Sequence, residues 1–316
     1  MTVTYPSKIE RDVARSSEGE DGKTTPRRVL VVRNPTAGRR RHGYYRAVLR
    51  VLEAMGCVVA CRDTMQSGDA ERIAAEIDGN DYDVIAIAGG DGTINEALNG
   101  LRADSPALAV IPLGTANVLA LELGLPKNPA ELATIIAEGR PMPIRLGRLN
   151  ERRFVMMAGA GFDARVVAGV TTAFKRLAGK AAYVWRSIVE LLRYQDVDYS
   201  VEVDGTSYHA ASVVVANGRH YGGPFMIAPE ADLCVDSFEV CLFERGGRFN
   251  AMRYGLGLIT HRIHKMNGLK IVRGKSITIL GPLAEPIQVD GDIFGQLPAS
   301  ITLDPDPVAI LVPSRG

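Results

Sequence analysis

Between an apolar run, Tyr82-Asp83-Val84-Ile85-Ala86-Ile87-Ala88, and a helically spaced run, Asn95-Glu96-Ala97-Leu98-Asn99-Gly100-Leu101, this chain places Gly89-Gly90-Asp91-Gly92-Thr93-Ile94. An apolar run without alternation suits a strand buried on both faces, and such strands belong to sheets covered by helices. Glycines let the backbone adopt φ > 0 and approach a ligand closely. The first N–H groups of the helix that follows have no intrahelical partner and present a partial positive charge. The order of strand, glycine turn and helix recurs: Asn34-Pro35-Thr36-Ala37-Gly38 follows an apolar run at 29–32, and Pro112-Leu113-Gly114-Thr115-Ala116-Asn117 follows another at 108–111. One Gly-Gly pair meets only the needs of a tight β–α turn. Three such loops at the carboxyl ends of successive strands mark the ligand crevice of an open α/β sheet, here for nucleotide phosphates.

The pattern divides the chain into three parts. Residues 1–26 are polar and read as a flexible N-terminal tail. Residues 27–140 alternate strands with helices, the helices at 44–55 and 70–77 and a further strand at 57–62, as in a doubly wound α/β domain. Residues 141–316 carry short β-rich runs at 154–158, 199–203, 211–216, 238–243, 277–280 and 301–303. They predict an antiparallel, sandwich-like second domain whose C-terminal end is free to return to the first. One long helical stretch, 166–194, interrupts it. Val184, Ile188, Leu191 and Leu192 recur there at helical spacing among Lys175, Arg176, Lys180, Arg186 and Arg193. Core packing and a lid over a lipid chain both account for that face.

Composition removes several classes. A net charge of +1 argues against a general nucleic-acid binder. Cysteines 57, 61, 234 and 241 form no Cys-x-x-Cys pair and have no histidine cluster at zinc spacing, so they read as reduced core residues. No apolar run reaches the ~18 residues of a spanning helix, and no secretion signal is present, so a cytoplasmic location is expected. From Arg245 through Lys275 there are eight Lys or Arg and no acid, with His261 and His264 added. This segment is either a solvated basic surface or a patch for anionic lipid head groups.

The series Asn34-Pro-x-x-Gly38, Gly89-Gly-Asp-Gly-Thr-x-Asn-Glu96, Pro112-x-Gly-Thr-x-Asn117, Gly159-x-Gly-Phe-Asp163 and Asp290-Gly-Asp292 resembles the catalytic domain of the diacylglycerol kinase and sphingosine kinase superfamily, including its bacterial soluble lipid kinases. The resemblance runs from about residue 28 to the end. Gly-Gly-Asp-Gly alone is shared with NAD kinases and phosphofructokinases; its conjunction with the other motifs is more selective.

The resemblance implies an ATP- and magnesium-dependent kinase that phosphorylates a hydroxyl of a diacylglycerol-like or sphingoid/ceramide lipid. The enzyme would work peripherally at the inner face of the membrane, and family members often pair as homodimers. It implies a nucleotide site built from Asn34, Gly38, Thr64, Gly89, Gly90, Asp91, Gly92, Thr93, Asn95, Glu96, Gly114, Thr115 and Asn117, with charge added by Arg39 or Arg40. Asp292 matches the family's base, one methylene shorter than the usual glutamate. Asp91 is the competing catalytic acid, or holds magnesium or its waters. A separate structural magnesium site would fall on Asp236 and the carbonyls of Leu233 and Phe238. Val235 and Ser237 replace an Asp and a Gly of that pattern, Val118 stands where Asp is common, and Arg145 does so too, free to pair with an acid or meet an anion. A soluble-substrate kinase such as an NAD kinase, and a nucleotide-binding regulator that has lost transfer, are the alternatives.

Overall fold

A computed structural model describes residues 26–38, 41–169, 189–191 and 197–313. Strands Val58–Asp63, Arg28–Arg33, Val84–Gly89 and Ala107–Pro112 lie parallel in that spatial order. Helices His42–Ala54, Asp69–Glu76 and Asp91–Gly100 connect them. Successive side chains of a strand point to opposite faces, and both faces are covered. Leu30, Val32, Ile85 and Ile87 pack with Ile73, Ile94 and Leu98. Val29, Val31, Val84 and Ala86 pack with Tyr45, Val48 and Leu52, and with Leu132 and Ile136 of helix Pro129–Glu138. All six residues of Val84–Gly89 are therefore buried, which is why that strand reads as an unbroken apolar run.

Chain order steps outward from Arg28–Arg33 to Val58–Asp63, then back across to Val84–Gly89. Such a reversal opens a crevice at the carboxyl ends of the strands. The sheet is completed by Val308–Leu311, parallel to Ala107–Pro112, and by Pro141–Ile144, antiparallel to Val308–Leu311. The end of the chain thus hydrogen-bonds into the first sheet.

The intervening residues form two six-stranded antiparallel sheets. One has the order Thr206–Ala210, Tyr199–Val203, Ser276–Leu280, Ala299–Leu303, Gly147–Leu149, Arg152–Phe154. The other runs Leu269–Gly274, Phe238–Phe243, Ser212–Ala216, Met157–Ala160, Pro286–Val289, Asp292–Gln296. Phe154, Tyr199, Val201, Ile277 and Ile301 of the first interleave with Val213, Val215, Phe238, Val240 and Ile287 of the second. Burying one such side chain is worth about 1.5–3 kcal/mol, and the Phe154 and Phe238 rings stack at 5.9 Å.

Several expectations change. The apolar run at 154–158 is not one strand: Phe154 ends a strand of one sheet and Met157 begins a strand of the other, with the chain crossing between them. The helical stretch predicted at 166–194 begins earlier, as helix Phe162–Ala168. Most of the remainder, including its five basic residues, lies outside the described residues, as does the 1–25 part of the tail. Helix Arg248–Ile259 crosses the basic segment, where the sequence reading places no element. No helix among the described residues is long and apolar enough to cross a membrane.

Candidate active site

The three glycine loops meet at the crevice. Asn34 N–H donates to Ala88 O at 2.9 Å, and its side-chain Nδ2 donates to Thr93 Oγ1 at 3.0 Å. Leu113 and Gly114 N–H both donate to Gly89 O, at 2.9 and 3.2 Å. The backbones of Gly90 and Gly114 touch: a Cβ on Gly114 would stand 2.6 Å from Gly90 Cα, so no larger residue fits there. Asn117 adopts φ 49° and donates from Nδ2 to Gly114 O at 2.9 Å, leaving its buried Oδ1 without a hydrogen-bond partner. Thr64 is buried beside this edge, its N–H on Arg33 O at 2.8 Å, and Glu96 accepts from Ser67 Oγ at 2.9 Å. Gly38 packs onto Leu113, while Thr115 is exposed. Arg39 and Arg40 lie outside the described residues.

The acids divide into struts and one that faces the crevice. Asp91 Oδ1 accepts from Val118 N–H at 2.7 Å and Leu119 N–H at 3.4 Å, tying the Gly-Gly-Asp-Gly loop to helix Val118–Glu122. Burial raises its carboxyl above the usual range against the pull of those N–H groups. Asp290 accepts from Val155 N–H and Asn95 Nδ2, both at 2.8 Å, and from Met156 and Met157 N–H at 2.8 and 3.0 Å. Burial likewise raises Asp290 against four donors. Asn95, expected to meet nucleotide, therefore spends its amide on Asp290 and on Arg153 O at 3.2 Å, and joins the two halves of the chain. Asp292 is exposed, and its Oδ2 lies 3.4 Å from where a Cβ of Gly92 would stand. The C-terminal Asp-Gly-Asp turn thus comes to rest on the Gly-Gly-Asp-Gly loop, about 200 residues distant in sequence.

Known proteins resemble this chain over both of its domains. The diacylglycerol kinase catalytic domain model matches residues 28–149, and the YegS C-terminal NAD kinase beta sandwich-like domain model matches 156–312. A Pseudomonas putida protein described as "Probable lipid kinase YegS-like" is 31% identical over 82% of this chain and 89% of its own. The chain belongs to the diacylglycerol kinase family of lipid kinases. A Bacillus subtilis relative named diacylglycerol kinase is 29% identical over 86% of this kinase and 92% of its own length. The crystal structure of a diacylglycerol kinase from Bacillus anthracis shares the fold, with a TM-score of 0.70 at 23% identity over 92% of this chain and 99% of that one.

The expected structural magnesium site does not fit this kinase. Arg145 Nε stands 2.5 Å from Asp236 Oδ1, its N–H donates to Leu233 O at 2.6 Å, and Nη1 reaches Pro305 O at 3.4 Å. Two of the three ligands expected among Leu233, Asp236 and Phe238 are thus engaged by one residue: its main-chain N–H takes the Leu233 carbonyl, and its guanidinium neutralises the one carboxylate that a divalent ion would use. Among the described residues no group of three or more His, Cys, Asp or Glu is placed to hold a metal. Chelating magnesium is expected to leave the thermal midpoint of the nucleotide-free protein unchanged. Arg145→Ala should lower stability by about 1 kcal/mol, the scale of a half-exposed pair. A chelator-induced drop in the midpoint would reinstate the metal.

Three further clusters escaped the sequence reading because their partners are remote. Asp304, buried, accepts from Arg148 at 2.6 Å and from Arg153 Nε at 2.9 Å; burial pushes its carboxyl up, but the two guanidiniums outweigh it and hold it low. Arg153 Nη1 also donates to Leu101 O at 2.6 Å, at the end of the Asp91–Gly100 helix. Glu122 accepts from Arg219 Nε at 2.8 Å and contacts His220 Nδ1 at 2.6 Å. Asp163, fully enclosed, accepts from Gln288 Nε2 at 3.1 Å, and Gln288 Oε1 accepts from Gly291 N–H at 2.9 Å, inside the Asp-Gly-Asp turn.

Burial pushes Asp163 up to about 6 from an ordinary 3.8. A raised folded-state value means that its contribution to stability is complete below the unfolded value and disappears as pH rises through about 6. Relative to Asp163→Asn, the wild type should therefore lose about 3 kcal/mol between roughly pH 4 and pH 7, at 1.36 kcal/mol per pKa unit. Denaturant unfolding of both proteins across that range tests it, and parallel curves would refute the assignment.

Proposed function

We propose that this kinase transfers the γ-phosphate of ATP to a hydroxyl of a diacylglycerol-like or sphingoid lipid at the inner surface of a membrane, where anionic head groups meet the basic 245–275 segment. The observation that carries the reading is the Asp292 carboxylate held against Gly92, at the first turn of a helix whose N–H groups suit phosphate. Phosphoryl transfer asks the protein chiefly for positioned phosphates and a base for the accepting hydroxyl. Asn34 and Thr93 fix the edge of the phosphate loop, Gly90 and Gly114 bring two loops together, and Asp290 fixes the turn that presents Asp292. Asp292 then takes the proton of the hydroxyl. Magnesium, when bound with the nucleotide, would supply charge neutralisation at the phosphates, and Asp91 would offer one of the one or two carboxylates it ordinarily uses there.

The description of the second family model as NAD kinase sandwich-like motivates a soluble dinucleotide as the second reading of the acceptor. The test is transfer from γ-labelled ATP to diacylglycerol, ceramide, sphingosine and NAD supplied separately, with Asp292→Asn as control. A labelled lipid lost in the variant supports the proposal. Labelled NAD moves the acceptor to a soluble substrate, and ATP binding without any product makes the protein a nucleotide-binding regulator.

A further inference from the structure

Helix Arg248–Ile259 presents its apolar side outward. Its inner face carries Tyr254 and Gly257, with the Tyr254 ring edge-on to Phe243 at 5.0 Å. The outer face carries Phe249, Met252, Leu256 and Ile259, exposed by 74, 57, 63 and 63%. At 100° per residue these four fall within an arc of about 80°. A surface helix of a globular protein ordinarily turns charged residues to that side. Here the exposed charges stand toward its ends: Arg245 precedes it, Arg248 is its first residue, and Arg262 and Lys265 follow it, while Arg253, midway, donates to Asn267 O.

We propose that this face inserts into the surface of an anionic bilayer, with the four apolar side chains in the acyl boundary and the flanking cations on lipid phosphates. The inference rests on the lipid-kinase reading, which requires the enzyme to reach an acceptor held in a membrane. Charge chooses the bilayer over a second copy of the chain. A twofold pairing through this helix would bring Arg245, Arg248, Arg262 and Lys265 of one copy toward the same cations of the other, with no acid between residues 245 and 275 to offset them. The position also suits delivery to the site. The helix packs against strand Phe225–Met226, whose Phe225 ring lies 6.2 Å from that of His261. The paired strand His220–Tyr221 bonds through His220 to Glu122, at the far end of the helix that receives Asp91.

Sedimentation with vesicles of phosphatidylcholine and phosphatidylglycerol in a two-to-one ratio, without ATP, tests the proposal separately from catalysis. Wild type should bind these vesicles and bind pure phosphatidylcholine at least about tenfold more weakly, since each cation near an anionic surface contributes about fivefold. Phe249→Glu/Leu256→Glu should lose at least about tenfold in partitioning while keeping the wild-type melting temperature, because both side chains are exposed. Phe249→Trp, made with Trp185→Phe so that it carries a single indole, should shift its emission to shorter wavelength when the phosphatidylglycerol vesicles are added. Unchanged binding by the double glutamate variant, an emission of the Phe249→Trp protein that does not shift, or a wild-type dimer that the double glutamate variant dissolves would each overturn it. Phosphorylation of detergent-dispersed lipid by the double glutamate variant at the wild-type rate would leave the proposed function standing whichever way the vesicle result falls.

Discussion

Asp292→Asn is expected to lower the phosphoryl-transfer rate by about 10²–10⁴-fold, the usual contribution of a positioned general base, while leaving the melting temperature and ATP affinity close to wild type. Two features of the site lead to this expectation. Asp292 is exposed at the start of strand Asp292–Gln296, so exchanging its carboxylate for an isosteric amide disturbs no packing. Its Oδ2 also faces Gly92, at the turn where the transferred phosphate would sit, and an amide there cannot take the hydroxyl proton. Asp292→Glu keeps the chemistry, adds one methylene of reach, and should retain much more activity than the amide. Single-turnover transfer with excess enzyme separates this chemistry from product release. A rate unchanged in Asp292→Asn would remove this residue from proton transfer. Asp91 would be a poor replacement, because one of its oxygens is committed to the N–H groups of helix Val118–Glu122.

What the sequence made legible was local. The strand at 84–89, its glycine turn and the helix at 91–100 are specified by residues that touch each other within a few positions, so periodicity and glycine placement revealed them. The two-sided burial of that strand also revealed the doubly wound sheet. Where the deciding contact is long-range, periodicity was blind. The run at 154–158 looked like one strand because Val155 and Met156 are apolar, yet their N–H groups turn to Asp290, 135 and 134 positions on, and the chain changes sheets there. Asn95 looked like a nucleotide contact because it follows the glycine turn, and its amide instead reaches Asp290. Arg145 was open to either an acid or an anion, and only the fold brought Asp236 to it. Helix Arg248–Ile259 was missed for a different reason: Ala251, Tyr254 and Leu258 add apolar positions on its other side and Gly255 and Gly257 speak against a helix, so no single stripe stands out.

Asp290→Asn should cost about 3–5 kcal/mol of stability, the scale of breaking a buried charged network by removing one partner. Each Asp290 oxygen takes two donors, Val155 N–H and Asn95 Nδ2 on Oδ2, and Met156 and Met157 N–H on Oδ1. Asparagine keeps the volume and tolerates the φ of 48° found here, so backbone strain does not enter. It replaces one acceptor by an NH₂ group, however, and in either amide orientation that group faces two N–H donors. Two charge-assisted bonds, about 1.5–3 kcal/mol each, become donor–donor contacts in a buried place. Asn95→Ala removes one of the four donors from the other side. The cost of the double variant should fall short of the summed single costs by at least about 0.5 kcal/mol, since contacting residues couple on that scale. Because Asp292 is two residues beyond this anchor, the transfer rate of Asp290→Asn should fall as well, even under conditions where the protein is fully folded. A stability loss below about 1 kcal/mol in urea unfolding, with normal activity, would mean that the turn is held against the phosphate loop by the sandwich strands alone, and that Asp290 is not the joint between the two halves of the kinase.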